Sequence, residues 1–141
     1  MANQFGVEDA SFQAAGQETG IKQLVKDFYL LMDSQPEFTE LRRLHQSNLN
    51  ESEDKLGVFL VGWLGGPRLY REKYGPISIP MVHQHLDISR VTVEQWLACM
   101  SLAVERQGYS SEFSDYLMTQ LRVPAERILA VVDAKNSTQS Q

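Results

Sequence analysis

The sequence predicts an all-α fold, because its apolar residues recur at helical spacing and because glycine and proline separate the periodic segments. No segment alternates between apolar and polar residues as a half-buried strand does. The clearest stripe follows the spacing i, i+3, i+4, i+7, i+8 and predicts a helix with one buried face. We expect Thr19 to cap this helix and Pro36 to follow its end. Its apolar positions are Ile21, Leu24, Val25, Phe28, Tyr29 and Met32.

Shorter helical segments are predicted on either side of this stripe. The N-terminal residues predict a stub of helix and a turn, and apolar residues at positions 38, 41 and 44 predict a short helix that ends at His45. Asn50 or Ser52 begins a longer helix. The run Gly65-Gly66-Pro67 ends that helix sharply, because proline cannot continue it. A short helix from Arg68 to Tyr74 follows. The apolar face of the longer helix carries Leu56, Phe59, Leu60, Trp63 and Leu64.

Another helix is predicted shortly after residue 90. Thr92 and Gln95 are spaced as a capping box, which marks its start. Val91 and Trp96 are spaced for a hydrophobic staple at the same end. We expect this helix to run to about residue 106 and to stop at the following glycine. Its inward positions are Trp96, Cys99, Met100, Ala103 and Val104.

The last predicted helix begins at Ser110 or Ser111, either of which can cap it. Pro124 either kinks this helix or starts a second segment. We expect residues 1–141 to form a single domain, with a polar tail that frays from about residue 135. The apolar residues of this region are Phe113, Leu117, Leu121, Ile128, Leu129 and Val132.

Composition and charge exclude several classes of partner. The net charge of −5 and the pI near 5.1 leave no basic surface for nucleic acid or anionic lipid. The sequence has no stretch of about 18 apolar residues and no signal-like N-terminus, so we expect neither a membrane span nor export. The single cysteine, Cys99, allows no intramolecular disulfide and fits a reducing compartment. Together these observations predict a cytoplasmic protein.

Two of the three histidines lie in the apolar segment Met81-Val82-His83-Gln84-His85. A neutral imidazole in such a setting is what haem iron takes as an axial ligand, so His83 is a candidate haem ligand. The alternative is a histidine that is satisfied in the core or faces solvent, which is the commoner fate of a single histidine. On a strand His83 and His85 would face one side. On a helix they would be turned about 200° apart, so a zinc site of the two is disfavoured. Only Cys99 and His45 would remain to complete it.

A longer series of motifs is specific to one family. With His83 standing 16 residues after Pro67 and Trp96 13 residues further on, the chain resembles the group II truncated haemoglobins, small globins of bacteria and plants. The resemblance extends from about residue 12 to residue 122 and implies a two-over-two helical sandwich that encloses haem b, an iron protoporphyrin. The motifs that carry it are Phe28-Tyr29, Trp63-Leu64-Gly65-Gly66-Pro67, Met81-Val82-His83 and Trp96-Leu97-Ala98-Cys99-Met100.

The resemblance also implies roles for individual residues. His83 matches the proximal haem ligand. Tyr29 and Trp96 match distal residues, and His45 lies where the family places a tyrosine, phenylalanine or histidine over the haem. We call Tyr29, His45 and Trp96 the distal cage. Further positions that match the haem-binding surface are Ser52, Leu56, Phe59 and Met81 and, near the haem propionates, Lys55 and Tyr70.

The segment around His83 departs from the family pattern. Residues 84–88 replace a proline-rich sequence, and Pro80 and Val82 stand where the family has basic residues. Basic contacts to the propionates are therefore not carried over to this segment.

Hydrogen-bond donors in the distal cage would slow the release of a bound diatomic ligand, because each hydrogen bond contributes about 1 kcal/mol net. The resemblance thus implies a haem protein that binds and retains O₂ and related diatomic ligands. A nitric oxide dioxygenase-like or peroxidase-like activity stays open, and such turnover would need a reductase as partner. The alternative role of Tyr29 and Trp96 is ordinary core packing. The alternative for the whole chain is a cofactor-free helical interaction module, which would show no Soret band.

Overall fold

The computed structural model of the chain describes residues 5–75 and 88–139, with side chains up to residue 134. The described residues form helices and loops and no strand, which confirms the all-α prediction. None of the described helices is long and apolar enough to cross a membrane. The helices are α1 (Ala10–Ala14), α2 (Gln17–Ser34), α3 (Thr39–Arg43), α4 (Asn50–Trp63), α5 (Leu69–Tyr74), α6 (Arg90–Glu105) and α7 (Ser111–Gln139), with a turn of 3-10 helix at Pro36–Phe38.

Helix α2 lies at the centre of the fold. It packs against both α4 and α6, and α6 in turn packs against α7. Every position of the stripe predicted for α2 is buried. Since burying one such side chain stabilises a protein by about 1.5–3 kcal/mol, this face fixes α2 in the core.

Helix α2 begins before its predicted cap. The prediction that Thr19 caps it is wrong, because Gly16 occupies the N-cap position with a φ of +90°. Glycine adopts this left-handed conformation without strain. A Cβ on Gly20 would lie 2.2 Å from the carbonyl oxygen of Ala15. The glycine at position 20 therefore allows the chain that leaves α1 to approach the first turn of α2.

Helix α6 is capped one turn earlier than predicted. Ser89 is the N-cap, and its Oγ accepts a hydrogen bond from the Thr92 backbone N–H at 3.3 Å. The Thr92 Oγ1 accepts from the Ser89 backbone N–H at 2.9 Å, which completes the capping box. The predicted staple is also wrong, because Val91 is 55% exposed. Ile88 and Val93, at the staple positions of the observed helix, lie in one buried cluster.

Helix α7 continues through Pro124 to Gln139. Ser110 accepts a hydrogen bond from the Phe113 backbone N–H at 3.1 Å and so caps the helix, as predicted. Interrupting a helix with proline costs about 3 kcal/mol. Burial of apolar residues beyond the proline offsets that cost, and the helical backbone extends into the tail that the sequence predicts to fray. Those buried residues are Ala125, Leu129 and Val132.

The Gly65-Gly66 pair allows α4 to end against the N-terminal segment. Gly65 has a φ of +103°, and a Cβ there would lie 2.2 Å from the carbonyl oxygen of Glu8. A Cβ on Gly66 would lie 2.6 Å from the ring of Phe12. The predicted helix break therefore has a second cause, which is the close packing of the N-terminal segment on this turn.

We expect Gly65→Ala to lower the free energy of unfolding by about 2 kcal/mol or more, because it combines backbone strain with a clash against backbone. Gly57→Ala is the matched control, since a Cβ at Gly57 in α4 meets nothing within 4 Å. Alanine there favours the helix by up to about 1 kcal/mol. Urea unfolding followed by circular dichroism measures both variants. Wild-type stability of Gly65→Ala would contradict the packing described.

Candidate functional site

The three residues of the distal cage are joined through ring contacts, His45 with Tyr29, and Tyr29 and Trp96 with Phe28. The ring centroids of Tyr29 and His45 are 5.8 Å apart, with the planes at 78°. The Phe28 ring lies 5.0 Å from that of Tyr29 and 5.3 Å from that of Trp96, and both contacts are edge-to-face. The fold thus joins residues from α2, from the loop after α3 and from α6 in one aromatic cluster.

Tyr29 carries a buried phenol with a single weak partner. The residue is 7% exposed. Its O–H donates to the carbonyl oxygen of Ser52 at 3.4 Å, which is long for such a bond and is the only hydrogen bond of this phenol within the described residues. Burial, with a smaller contribution from the negative charge of Glu53, raises the pKa of Tyr29 well above its ordinary value. The phenol therefore stays neutral at physiological pH and keeps a proton to donate.

His45 is held in one tautomer. Its Nδ1 lies 3.0 Å from the carbonyl oxygen of Leu41. Since a carbonyl oxygen only accepts hydrogen bonds, Nδ1 carries a proton and donates to it. The Leu41 carbonyl therefore orients the His45 ring.

Trp96 is half-buried on α6 against Phe28. Across residues 5–75 and 88–134, its indole N–H makes no hydrogen bond. One turn later, Cys99 is fully buried, and its thiol donates to the carbonyl oxygen of Phe28 at 3.3 Å. Burial raises the pKa of Cys99 to about 12, so the thiol is a packing group between α6 and α2 and not a nucleophile.

An apolar stripe on α4 extends the site beyond Tyr29. Ser52, whose carbonyl accepts from Tyr29, lies one turn before Leu56. Leu56, Phe59 and Trp63 are only half-buried although they pack against the core, and the rings of Phe59 and Trp63 stack at 6.2 Å. A flat apolar group with a polar centre fits this surface, because the stripe offers apolar area and the Tyr29 phenol, which donates to Ser52, lies beside its first turn. The described residues therefore fit a haem.

Lys55 in α4 and Tyr70 in α5 both contact the ring of Tyr74. The ammonium of Lys55 lies 5.3 Å from the ring centroid of Tyr74, and the Tyr74 ring lies 5.1 Å from that of Tyr70. Lys55 also pairs with Glu51 at 2.9 Å, and the hydrogen bond to that carboxylate raises the pKa of Lys55. Both partners of this pair are substantially exposed, so it is weak and can be exchanged for another anion.

The loop that carries His45 is held by Arg42, which the sequence did not single out. The guanidinium ties the end of α2 to the residues that follow His45 and so limits where the imidazole can lie. No pattern in the sequence marks this residue, because its partners are defined only by the folded loop. Its three contacts, each of 2.9 Å, are with the carboxylate of Asp33 and with the carbonyl oxygens of Gln46 and Ser47.

Three of the histidine-segment residues singled out in the sequence, Met81, His83 and His85, lie outside the described residues. The described part of the site is therefore the distal cage and the α4 stripe, together with the edge formed by Lys55 and Tyr70.

Comparisons with known proteins match the chain to globins. The family model for bacterial-like globins matches residues 10–129. The chain is similar to the group 2 truncated haemoglobin YjbI of Bacillus subtilis, with 30% identity over 128 residues that cover 91% of this chain and 94% of that protein.

Two solved structures share the fold. The group II 2-on-2 haemoglobin of Agrobacterium tumefaciens aligns with a TM-score of 0.81 and 28% identity, covering 84% of this chain and 92% of that one. A truncated oxygen-avid haemoglobin from Bacillus subtilis aligns with a TM-score of 0.76 and 30% identity, covering 84% of this chain and 98% of that one. The predicted two-over-two helical sandwich is thereby confirmed.

Proposed function

The chain belongs to the bacterial-like globin family and, within it, to the group II truncated haemoglobins, and from that premise we propose that it is a haem protein that retains diatomic ligands. Globins carry haem and bind small diatomic ligands such as O₂. In this proposal the cofactor is haem b, and His83 would hold its iron. The distal cage holds the ligand.

The observation that carries the proposal is the convergence of the distal cage. The fold joins three residues that are far apart in the sequence, Tyr29, His45 and Trp96, in one aromatic cluster with Phe28. The cluster contains a neutral buried phenol with one long hydrogen bond, which is a donor kept ready for a better acceptor. It lies beside the half-buried stripe of α4, which offers apolar area for the face of a haem.

Bound haem supplies the iron at which a diatomic ligand is held and where its redox chemistry takes place. The residues of the chain then determine how long the ligand stays. Tyr29, whose contact with Ser52 is long at 3.4 Å, would donate to the ligand instead, and Trp96 would donate through its indole N–H. His45, which the Leu41 carbonyl orients, would line the same side from the loop after α3. Leu56 and Phe59 exclude water on the α4 side.

Slow release favours consumption of the ligand over rapid carriage. The similar haemoglobin of Bacillus subtilis is oxygen-avid, and the donors of the distal cage support the same behaviour for this chain. Reaction of the retained ligand with nitric oxide, or turnover of peroxide, is the chemistry that such a cage would serve. Either reaction would draw electrons from a reductase partner.

The propionates of the haem are proposed to lie at the edge formed by Lys55 and Tyr70. The side chain of Lys55 is 43% exposed and forms a weak surface ion pair with Glu51. It can therefore pair with a propionate instead at little cost in free energy. Tyr70 can donate its phenolic proton to the same group. These contacts would fix the orientation of the haem.

The visible spectrum of the purified chain tests the proposal against the cofactor-free helical module. We expect a Soret band on purification, or on titration of the apoprotein with hemin, that saturates at an equimolar amount of haem. The band should shift on reduction and again on addition of carbon monoxide. A chain that remains folded and shows no saturable Soret band would contradict the proposal and support the cofactor-free module.

A further inference from the structure

Gln95 joins α6 to the short helix that precedes His45. Its Oε1 accepts a hydrogen bond from the Leu41 backbone N–H at 3.0 Å. Its Nε2 donates to a carboxylate oxygen of Glu40 at 2.7 Å. The orientation of the amide follows from these partners, because a backbone N–H can face only the oxygen and a carboxylate only the nitrogen. The hydrogen bond from Gln95 also lowers the pKa of Glu40.

Helix α3 depends on this contact for its first turn. It has only five residues, and its N-cap residue, Phe38, makes no side-chain capping bond. A helix of this length is marginal by itself, and the N–H groups of its first turn have no partners within the helix. Leu41 is the third residue of α3, the position whose N–H a capping side chain ordinarily satisfies. Gln95 therefore caps α3 from a different helix.

Leu41, the residue that Gln95 caps, also forms a hydrogen bond with His45. The Leu41 carbonyl oxygen accepts from His45 Nδ1 at 3.0 Å, while the Leu41 N–H donates to Gln95. We propose that Gln95 is a positioning residue of the distal cage, which fixes Leu41 and through it the tautomer and orientation of the His45 ring. The inference rests on the proposed function only in assigning His45 to the haem site.

The test measures the ring nitrogens of His45 by ¹⁵N NMR in the full-length ferrous carbon monoxide complex, and also in the protein as purified if no haem is held. Gln95→Met keeps the length of the side chain and removes both hydrogen bonds. We expect the ratio of the Nδ1–H tautomer of His45 to its Nε2–H tautomer to fall by a factor of about five. This factor corresponds to the free energy of one ordinary hydrogen bond. The C–O stretching band of the complex should broaden or split.

Gln107→Met is the matched control. Gln107 also makes two side-chain hydrogen bonds, to Asp27 at 2.7 Å and to the carbonyl oxygen of Ala103 at 2.9 Å, and neither partner contacts His45. Its loss should cost similar stability and leave the His45 signals unchanged. An unchanged tautomer ratio in Gln95→Met would overturn the inference, as would an equal change in both variants.

A charge exchange provides a rescue experiment. Gln95→Glu keeps an acceptor for the Leu41 N–H but places a second carboxylate against Glu40, and this repulsion should disturb His45, though less than Gln95→Met does. Adding Glu40→Gln restores one donor and one acceptor in that contact, so the double variant should recover the wild-type tautomer ratio. Failure of the rescue would show that Gln95 acts by packing and would overturn the inference. Since the nitrogen signals do not require haem, failure to bind haem would contradict only the proposed function.

Discussion

His83→Ala is expected to weaken haem retention by more than about 100-fold, because loss of a residue that merely supports a metal ligand already costs 10–100-fold. The expectation rests on the position of His83 between the motifs shared with group II truncated haemoglobins, 16 residues after Pro67 and 13 before Trp96. Any haem that remains should show an altered spectrum, since its iron lacks the imidazole. The measurement is the rate of haem transfer to an excess of a haem-scavenging apoprotein, followed at the Soret band.

His85→Ala is the control for this prediction. The two histidines lie in the same segment, but only His83 matches the position of the haem ligand in the resemblance. In helical geometry, residues two apart would point about 200° away from each other. His85→Ala should therefore retain haem as the wild type does. Equal loss of haem in both variants would contradict the assignment of His83. Normal retention in His83→Ala would do so as well.

The helices could be predicted from the sequence because burial of one face imposes a period. The stripe from Ile21 to Met32 has a single interpretation, and every one of its positions is buried. The start of α6 was predicted at Thr92, in a capping box with Gln95, but Thr92 is instead the third residue of the helix, in a box that begins at Ser89. Tertiary contacts explain the difference, since Ile88 joins a buried cluster and the Gln95 side chain bonds to α3.

Within the candidate site, the sequence could single out only those residues that belong to a motif. Tyr29 and Trp96 belong to motifs that keep their spacing, and the fold brings both to Phe28. Gln95 and Arg42 belong to no motif of this kind. Gln95 bonds to a residue 54 positions away, and the partners of Arg42 include backbone carbonyls of a folded loop. Positioning of this kind depends on geometry that one sequence does not contain.

Removing the donors of the distal cage is expected to speed the dissociation of O₂. A hydrogen bond to a ligand that gains negative charge is worth about 1.5–3 kcal/mol, so Tyr29→Phe and Trp96→Phe should each raise the dissociation rate by one to two powers of ten. Phenylalanine keeps most of the ring volume, and the change therefore removes a donor with little cavity. The Tyr29 variant also frees the carbonyl of Ser52, which is already held weakly at 3.4 Å.

The two effects should not add, because both donors compete for one small acceptor in a shared cluster. Stopped-flow displacement of O₂ by carbon monoxide measures the wild type, both single variants and the double variant. Tyr109→Phe is the matched control, since this tyrosine donates to the carbonyl oxygen of Ala15 at 3.0 Å and burial raises its pKa to about 12. It should lose stability without any change in the dissociation rate. If Tyr29→Phe, Trp96→Phe and the double variant all release O₂ at the wild-type rate, the two aromatic residues only pack, and ligand retention by the distal cage is wrong.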